Sequence, residues 1–169
     1  MAEELGSVVH ETFIRASIRE VWAELTKTHE VQKPMFNTQM DCSLEVGAPL
    51  RMRTADGKFT SVVGEVLEID PPRRFSFTFK FTMYDDPPCR VTYELFEEEG
   101  GTRFRMTSDQ LPPSTKSTKQ MSSGGEMIAS TLKAVMETGK PPFKVRMLYG
   151  MFAVMAPFTP AQCRSEHWP

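Results

Sequence analysis

Arg74-Phe75-Ser76-Phe77-Thr78-Phe79-Lys80-Phe81 alternates aromatic with polar residues over its whole length. Successive side chains of a β-strand point to opposite faces, so this period places Phe75, Phe77, Phe79 and Phe81 on one side. Ser76, Thr78 and Lys80 fall on the other. A helix would scatter the four rings around its circumference, so the stretch predicts a strand with one aromatic and one wet face.

The same alternation continues downstream. Val91, Tyr93 and Leu95, then Phe104, Met106 and Ser108, share the apolar side, while Thr92, Glu94, Arg103 and Arg105 lie opposite. Asp56-Gly57, Asp70-Pro71-Pro72, Asp85-Asp86-Pro87-Pro88 and Gly100-Gly101 punctuate the region from Thr38 to Asp109 as turns. Strands joined by such short turns pair antiparallel, which predicts a meander. Asp85-Asp86 reads as part of a solvated turn and is assigned no role.

Toward the N-terminus, Val8 to Ile14 is short and β-branched and predicts a first strand. Ser17-Ile18-Arg19-Glu20 is a capping box, and Ile18, Val21, Trp22 and Leu25 then form one helical stripe. His29 to Phe36, interrupted by Pro34, reads as a short second helix or a loop. Toward the C-terminus, Leu111 to Ser123 reads as a polar linker, and Ser123-Gly124-Gly125-Glu126 as a second capping box. The helix expected there carries Ile128, Leu132, Val135 and Met136 on one side and stops at Gly139-Lys140-Pro141-Pro142. About 15 residues give ~22 Å of helix, enough to cross a sheet of six or seven strands.

The last apolar stretch runs from Phe143 to Phe158. It is shorter than the ~20 residues a bilayer span needs, and its apolar side chains are too numerous for one stripe. An extra apolar helix that docks on its own domain or pairs in a homodimer through residues 143–158 is expected, with symmetric pairing favoured because one small domain covers only part of it. Only Lys144 and Arg146 are charged in this stretch, which makes a membrane-surface anchor the weaker solution.

The chain has 169 residues, 40% hydrophobic and 25% charged, a composition that fits one globular domain. Residues 1–139 are read as that domain and 140–169 as its helical extension and tail. A net charge of -2 offers a nucleic acid no electrostatic footprint. Cys42, Cys89 and Cys163 form no C-x-x-C pair and read as reduced thiols. Met1 to Val9 lacks the basic start and apolar run of a secretory signal, so a cytoplasmic location is expected. His10, His29 and His167 lie in a strand, a loop and the tail without metal-ligand spacing, and read as surface or locally hydrogen-bonded. No nucleophile elbow, phosphate loop or dinucleotide fingerprint is present in the sequence. No metal, cofactor or catalytic residue is therefore expected.

Several strings add a resemblance. Ile14-Arg15-Ala16-Ser17 leading to Val21-Trp22, the run from Gly64 to Arg74, Arg90-Val91-Thr92-Tyr93-Glu94-Leu95, Gly101-Thr102-Arg103, and Leu132-Lys133 to Glu137-Thr138-Gly139 resemble the START-like (SRPBCC) superfamily. Within it, the chain is similar to the branch homologous to the activator of the 90-kDa heat-shock-protein ATPase, over roughly residues 8–139. The resemblance implies an α+β helix-grip fold (START/Bet v 1-like), with a curved antiparallel sheet around a long C-terminal helix and a cavity between them. Members of this branch often carry a Trp pair where Met35-Phe36 stands and a His where Ser108 stands.

The leading expectation is noncatalytic binding of a small apolar or aromatic ligand. Met35, Phe36, Phe77, Phe79, Tyr93, Phe104, Met106, Ser108, Ile128, Leu132 and Met136 are expected to line the cavity, with Tyr93 and Ser108 orienting the ligand. A cyclase or dehydratase acting on a polyketide-like substrate, with Tyr93 as its acid, is the alternative. A surface-acting adaptor of the chaperone-activator kind is the third.

Overall fold

The aromatic alternation forms strand β6 (Arg74–Phe81) in the middle of an eight-stranded antiparallel sheet. The computed structural model describes residues 4–169. Before β6 come β1 (Gly6–Ile14), helix α1 (Ile18–Thr26), β2 (Val31–Gln32), β3 (Thr38–Asp41), β4 (Pro49–Thr54) and β5 (Thr60–Asp70). After it come β7 (Cys89–Glu98), β8 (Gly101–Leu111), helix α2 (Lys116–Thr138) and helix α3 (Phe143–Met155). The strand order is β1-β8-β7-β6-β5-β4-β3-β2, so the meander is completed by β1 pairing with the last strand. The result is an α+β helix-grip fold with the long helix across the inner sheet face. One strand exceeds the expected number because the segment before Phe36 supplies the two-residue β2 and a 3-10 turn, Lys33–Met35, in place of a helix.

Register carries the alternation across the sheet. Phe75 pairs with Tyr93, and Tyr93 with Met106; Phe77 pairs with Val91, and Val91 with Ser108. The inward side chains thus stand in rows, and Phe75, Phe77, Val91, Phe104 and Met106 are fully enclosed. The opposite face is less wet than the pattern predicts. Ser76 and Thr92 are buried there and share a 3.0 Å hydroxyl hydrogen bond, which satisfies both without solvent.

Helix α1 starts where the sequence places it. The Glu20 amide donates to Ser17 Oγ at 3.2 Å and the Ser17 amide donates to the Glu20 carboxylate at 2.8 Å. Helix α2 does not start at Ser123. Its N-cap is Thr115, whose hydroxyl accepts the Thr118 amide at 3.2 Å, and Ser123 lies inside the helix with its hydroxyl donating to the Lys119 carbonyl. The string Ser123 to Glu126 has the spacing of a cap, but no breaker separates it from Lys116 to Ser122. The stop signal is Pro112-Pro113, further upstream. The C-terminus is as expected: Gly139 adopts φ 83° and its amide donates to the Val135 carbonyl.

Asp86 also has a role that the turn reading denied it. Its carboxylate accepts the Ser117 amide at 3.0 Å and the Ser117 hydroxyl at 2.8 Å, so it satisfies a free donor in the first turn of α2.

Helix α3 is pinned at one side by buried Val145 and Tyr149. The chain beyond it straps onto the β4–β5 hairpin. The Ser165 amide donates to the Lys58 carbonyl at 2.9 Å, Ser165 Oγ to the Gly57 carbonyl at 2.6 Å, and Arg53 to the Trp168 carbonyl at 3.0 Å. Cys42, Cys89 and Cys163 are buried free thiols, and burial pushes Cys89 up to about 11, which keeps it protonated. Among the described residues, no helix is long and apolar enough to cross a membrane.

The Ser117 amide and hydroxyl hold the Asp86 carboxyl below its ordinary pKa, so this contact contributes while Asp86 is ionised and is lost as pH falls through the lowered value. Asp86→Ala is expected to cost about 1 kcal/mol at neutral pH in urea unfolding. The gap to the native protein should close on stepwise acidification.

Candidate ligand-binding site

The inner face is a grid centred on Met106. His10 pairs with Met106 from β1 and Tyr93 pairs with it from β7, while Ser108, the next inward position of β8, pairs with Val8 and Val91. Phe77 stands edge-on to Tyr93 at 5.5 Å, and Tyr93 lies 5.6 Å from Phe104, ring centre to ring centre. Aromatic pairs at such separations add to the stabilisation from burial itself. Helix α2 covers the grid with Met121, Ile128, Ala129 and Leu132.

The structure gathers the sequence-predicted residues into this one region. Phe77, Tyr93, Phe104, Met106 and Ser108 are buried on the sheet, Ile128 and Leu132 on α2, and Met35 in the 3-10 turn. Phe36, Phe79 and Met136 are half-buried and pack against the same core. Phe36 has φ 56°, a conformation unfavourable for a bulky residue unless its surroundings enforce it. Its ring packs edge-on to Tyr149 at 6.2 Å, and the Tyr149 hydroxyl donates to the Lys33 carbonyl at 2.6 Å. Burial pushes the Tyr149 phenol up to about 12. The 3-10 turn is thereby tied to α3.

Polar groups inside are few. The Tyr93 hydroxyl donates only to Met35 Sδ, at 3.6 Å, and burial pushes its phenol well above the ordinary tyrosine value. Ser108 Oγ and Thr131 Oγ1 are buried without a partner. His10 joins them and was missed as a site residue. Its ring lies under α2, with Nε2 3.0 Å from the Ser122 carbonyl. A carbonyl only accepts, so Nε2 carries a hydrogen; in the neutral ring Nδ1 is then an acceptor, and it is buried and unpaired. The signal was available in the alternation of Val8, His10 and Thr12, which puts His10 on the inward face of β1.

Gly125 is the complement of that ring. A Cβ at this position would stand 2.4 Å from His10 Nδ1, so α2 approaches β1 only because Gly125 has no side chain. Among the described residues, no hydrogen bond links His10, Ser108 and Tyr93 into a proton relay, and no group of three metal-ligating side chains is present. Two surface clefts lie elsewhere. One, of about 640 Å³, is lined by Arg15 to Arg19 and Glu97 to Gly101; the other, of about 330 Å³, lies between the β4–β5 turn and Arg164 to Glu166.

Residues 15–137 match the family described as activator of Hsp90 ATPase homolog 1-like protein. No curated protein matches the chain. Among solved structures, CalU16 from Micromonospora echinospora superposes with a TM-score of 0.63 at 18% identity, over 86% of this chain and 82% of that one. The Aha1 dimer from Colwellia psychrerythraea gives 0.65 at 18% identity, over 80% and 98%. DynU16, from the dynemicin biosynthetic locus, gives 0.64 at 25% identity, over 80% of this chain and 48% of that one.

Gly125→Ala is expected to destabilise by about 1–3 kcal/mol in urea unfolding, because the added methyl meets the His10 ring. In a His10→Ala background the same change should turn stabilising by up to about 1 kcal/mol, as helix propensity is then the surviving effect. Equal costs in the two backgrounds would show that the ring is not the obstacle.

Proposed function

The chain belongs to the activator of Hsp90 ATPase homolog 1-like family, and from that premise we propose that it binds a small hydrophobic or aromatic molecule between the inner sheet face and α2 without transforming it. The carrying observation is the inner face itself, an aromatic wall interrupted by isolated polar groups that form no relay. Met35, Phe77, Tyr93, Met106 and Leu132 hold the ligand, and the half-buried Phe36, Phe79 and Met136 form the rim through which it passes. Phe104, Ser108 and Ile128 complete the lining. A site on DynU16's fold, in a protein of a biosynthetic locus, favours a small organic molecule over a polymer.

Tyr93 is poorly suited to the cyclase reading. Burial raises its phenol away from neutral pH, whereas a general acid works best with a pKa near the operating pH. Binding itself has an ample source. A ligand burying ~250 Å² of apolar surface gains roughly 6 kcal/mol at about 25 cal/mol per Å² before entropic costs, consistent with micromolar affinity. Residues 1–139 hold the ligand in this reading, in the cytoplasm, with 140–169 as an extension.

That extension supports a second copy as partner. Phe143, Met147, Met151, Phe152, Val154, Met155 and Phe158 are between 45% and 81% exposed. At roughly 100 Å² each they present on the order of 700 Å² per copy, more than a monomer usually leaves open and close to the ~800 Å² per partner of a standard interface. The related Colwellia psychrerythraea protein is itself a dimer.

Methyl-labelled methionine NMR tests the ligand reading. Titration with apolar aromatics and long-chain aliphatics should shift Met35, Met106 and Met136 while leaving Met147 and Met151 in place; no shift with any of them rejects the site. Light scattering tests the partner. The native chain should show twice its 19.2 kDa mass, and Met151→Glu with Val154→Glu should return it to monomer without loss of helicity. A monomeric native chain at high concentration rejects the homodimer.

A further inference from the structure

Two unpaired polar atoms occupy neighbouring inward positions under α2. Ser108 is fully buried and its hydroxyl has no partner. His10 Nδ1 is buried and unpaired, and with Nε2–H committed to the Ser122 carbonyl it is the acceptor of the neutral ring. Since Val8 pairs with Ser108 and His10 with Met106, the two residues are diagonal neighbours on adjacent strands, about 7–8 Å apart at their backbones. Both side chains project from the same face of the sheet, toward α2. Burying both without partners is unfavourable, and native proteins seldom tolerate it without a reason.

The surrounding chemistry limits what can satisfy them. None of the inward positions on β1, β6, β7 and β8 holds a Lys or Arg. A buried carboxylate needs a paired cation, and here only a protonated His10 would supply one, at the loss of its Nδ1 acceptor. A plain hydrocarbon would leave Ser108 and His10 as they are. A neutral hydroxyl supplies a donor for Nδ1 and a partner for Ser108 Oγ, which both donates and accepts.

We infer that this site selects neutral hydroxylated ligands, an alcohol or a phenol on an apolar body, with His10 Nδ1 accepting the ligand's hydrogen and Ser108 Oγ bonding its oxygen. The inference rests on the reading that an apolar molecule lies between sheet and helix, and names the class of that molecule. His10 and Ser108 are recognition groups here, and no bond is made or broken.

The test compares ligands that share a body and differ only in head group: naphthol, naphthalene and naphthoate, and in parallel decanol, decane and decanoate. Each is titrated into the full chain and into Ser108→Ala. The native chain should bind the hydroxylated member of at least one series about tenfold or more tightly than its hydrocarbon and its acid. In Ser108→Ala that preference should shrink several-fold while the melting temperature holds or rises, because the group removed is a buried hydroxyl without a partner. Equal binding of alcohol and hydrocarbon, or tightest binding of the acid, overturns the inference and leaves the binding site standing. An unchanged preference in Ser108→Ala overturns the assignment of the residue. If no member of either series binds, the apolar-ligand reading falls, and this inference with it.

Discussion

The seat of α2 on β1 is the contact from which the rest of the site follows. Gly125 rests against the His10 ring because it has no Cβ, and the ring's Nε2–H reaches the Ser122 carbonyl one turn away. That pair fixes both the height and the register of a helix of 23 residues, about 35 Å long. From there, Ile128 and Leu132 fall over the aromatic grid, and a Cβ added at Gly124 would stand 3.8 Å from the Phe36 ring. A larger residue at 125, near the middle of the helix, would press on the His10 ring and loosen the seat of α2 on the sheet.

The second constraint is that α3 is held at few points, one near its middle and others in the tail that follows it. Tyr149 locks it to the 3-10 turn, and the tail locks onto the β4–β5 hairpin through Ser165 and Arg53. The rest of the helix contributes little to the core, Val145 and Tyr149 being its buried residues. Tethers of this kind hold an apolar face outward at a defined angle. A loose helix would instead collapse onto the nearest apolar surface, since hydrophobic attraction is not directional.

How much of this was legible depended on whether the information was local. The strand from Phe75 to Phe81 and the capping box from Ser17 to Glu20 were readable because each is specified by residues within one turn or one strand. The start of α2 was misread for the same reason. Ser123 to Glu126 satisfies a local rule, while the reason for Gly125 lies more than a hundred residues away in His10. Asp86 looked like turn composition, yet its partner is Ser117 in another element. The lining residues were legible from alternation; His10 was not chosen, because a lone histidine carries no chemistry until its neighbours are known. Which side of β1 it faces was nonetheless available from Val8 and Thr12.

A core built only for stability would not keep Ser108 and His10 Nδ1 where they are. Each unpaired buried group costs on the order of 1–3 kcal/mol, and an alanine or valine at 108 would avoid its share. Met106 beside them shows that the fold accepts a large apolar side chain at the adjacent inward position. Ordered water could relieve such a cost, but it would do so equally well for any hydroxylated core. Ser108 and His10 share one diagonal of the inner face, and the proposed ligand hydroxyl uses that arrangement. A molecule that binds only the folded chain stabilises it by mass action. In the proposed binding mode, the cost of burying the two atoms is offset selectively by ligands whose head group matches. Selectivity and marginal stability are, on this account, two consequences of the same pair of unpaired atoms.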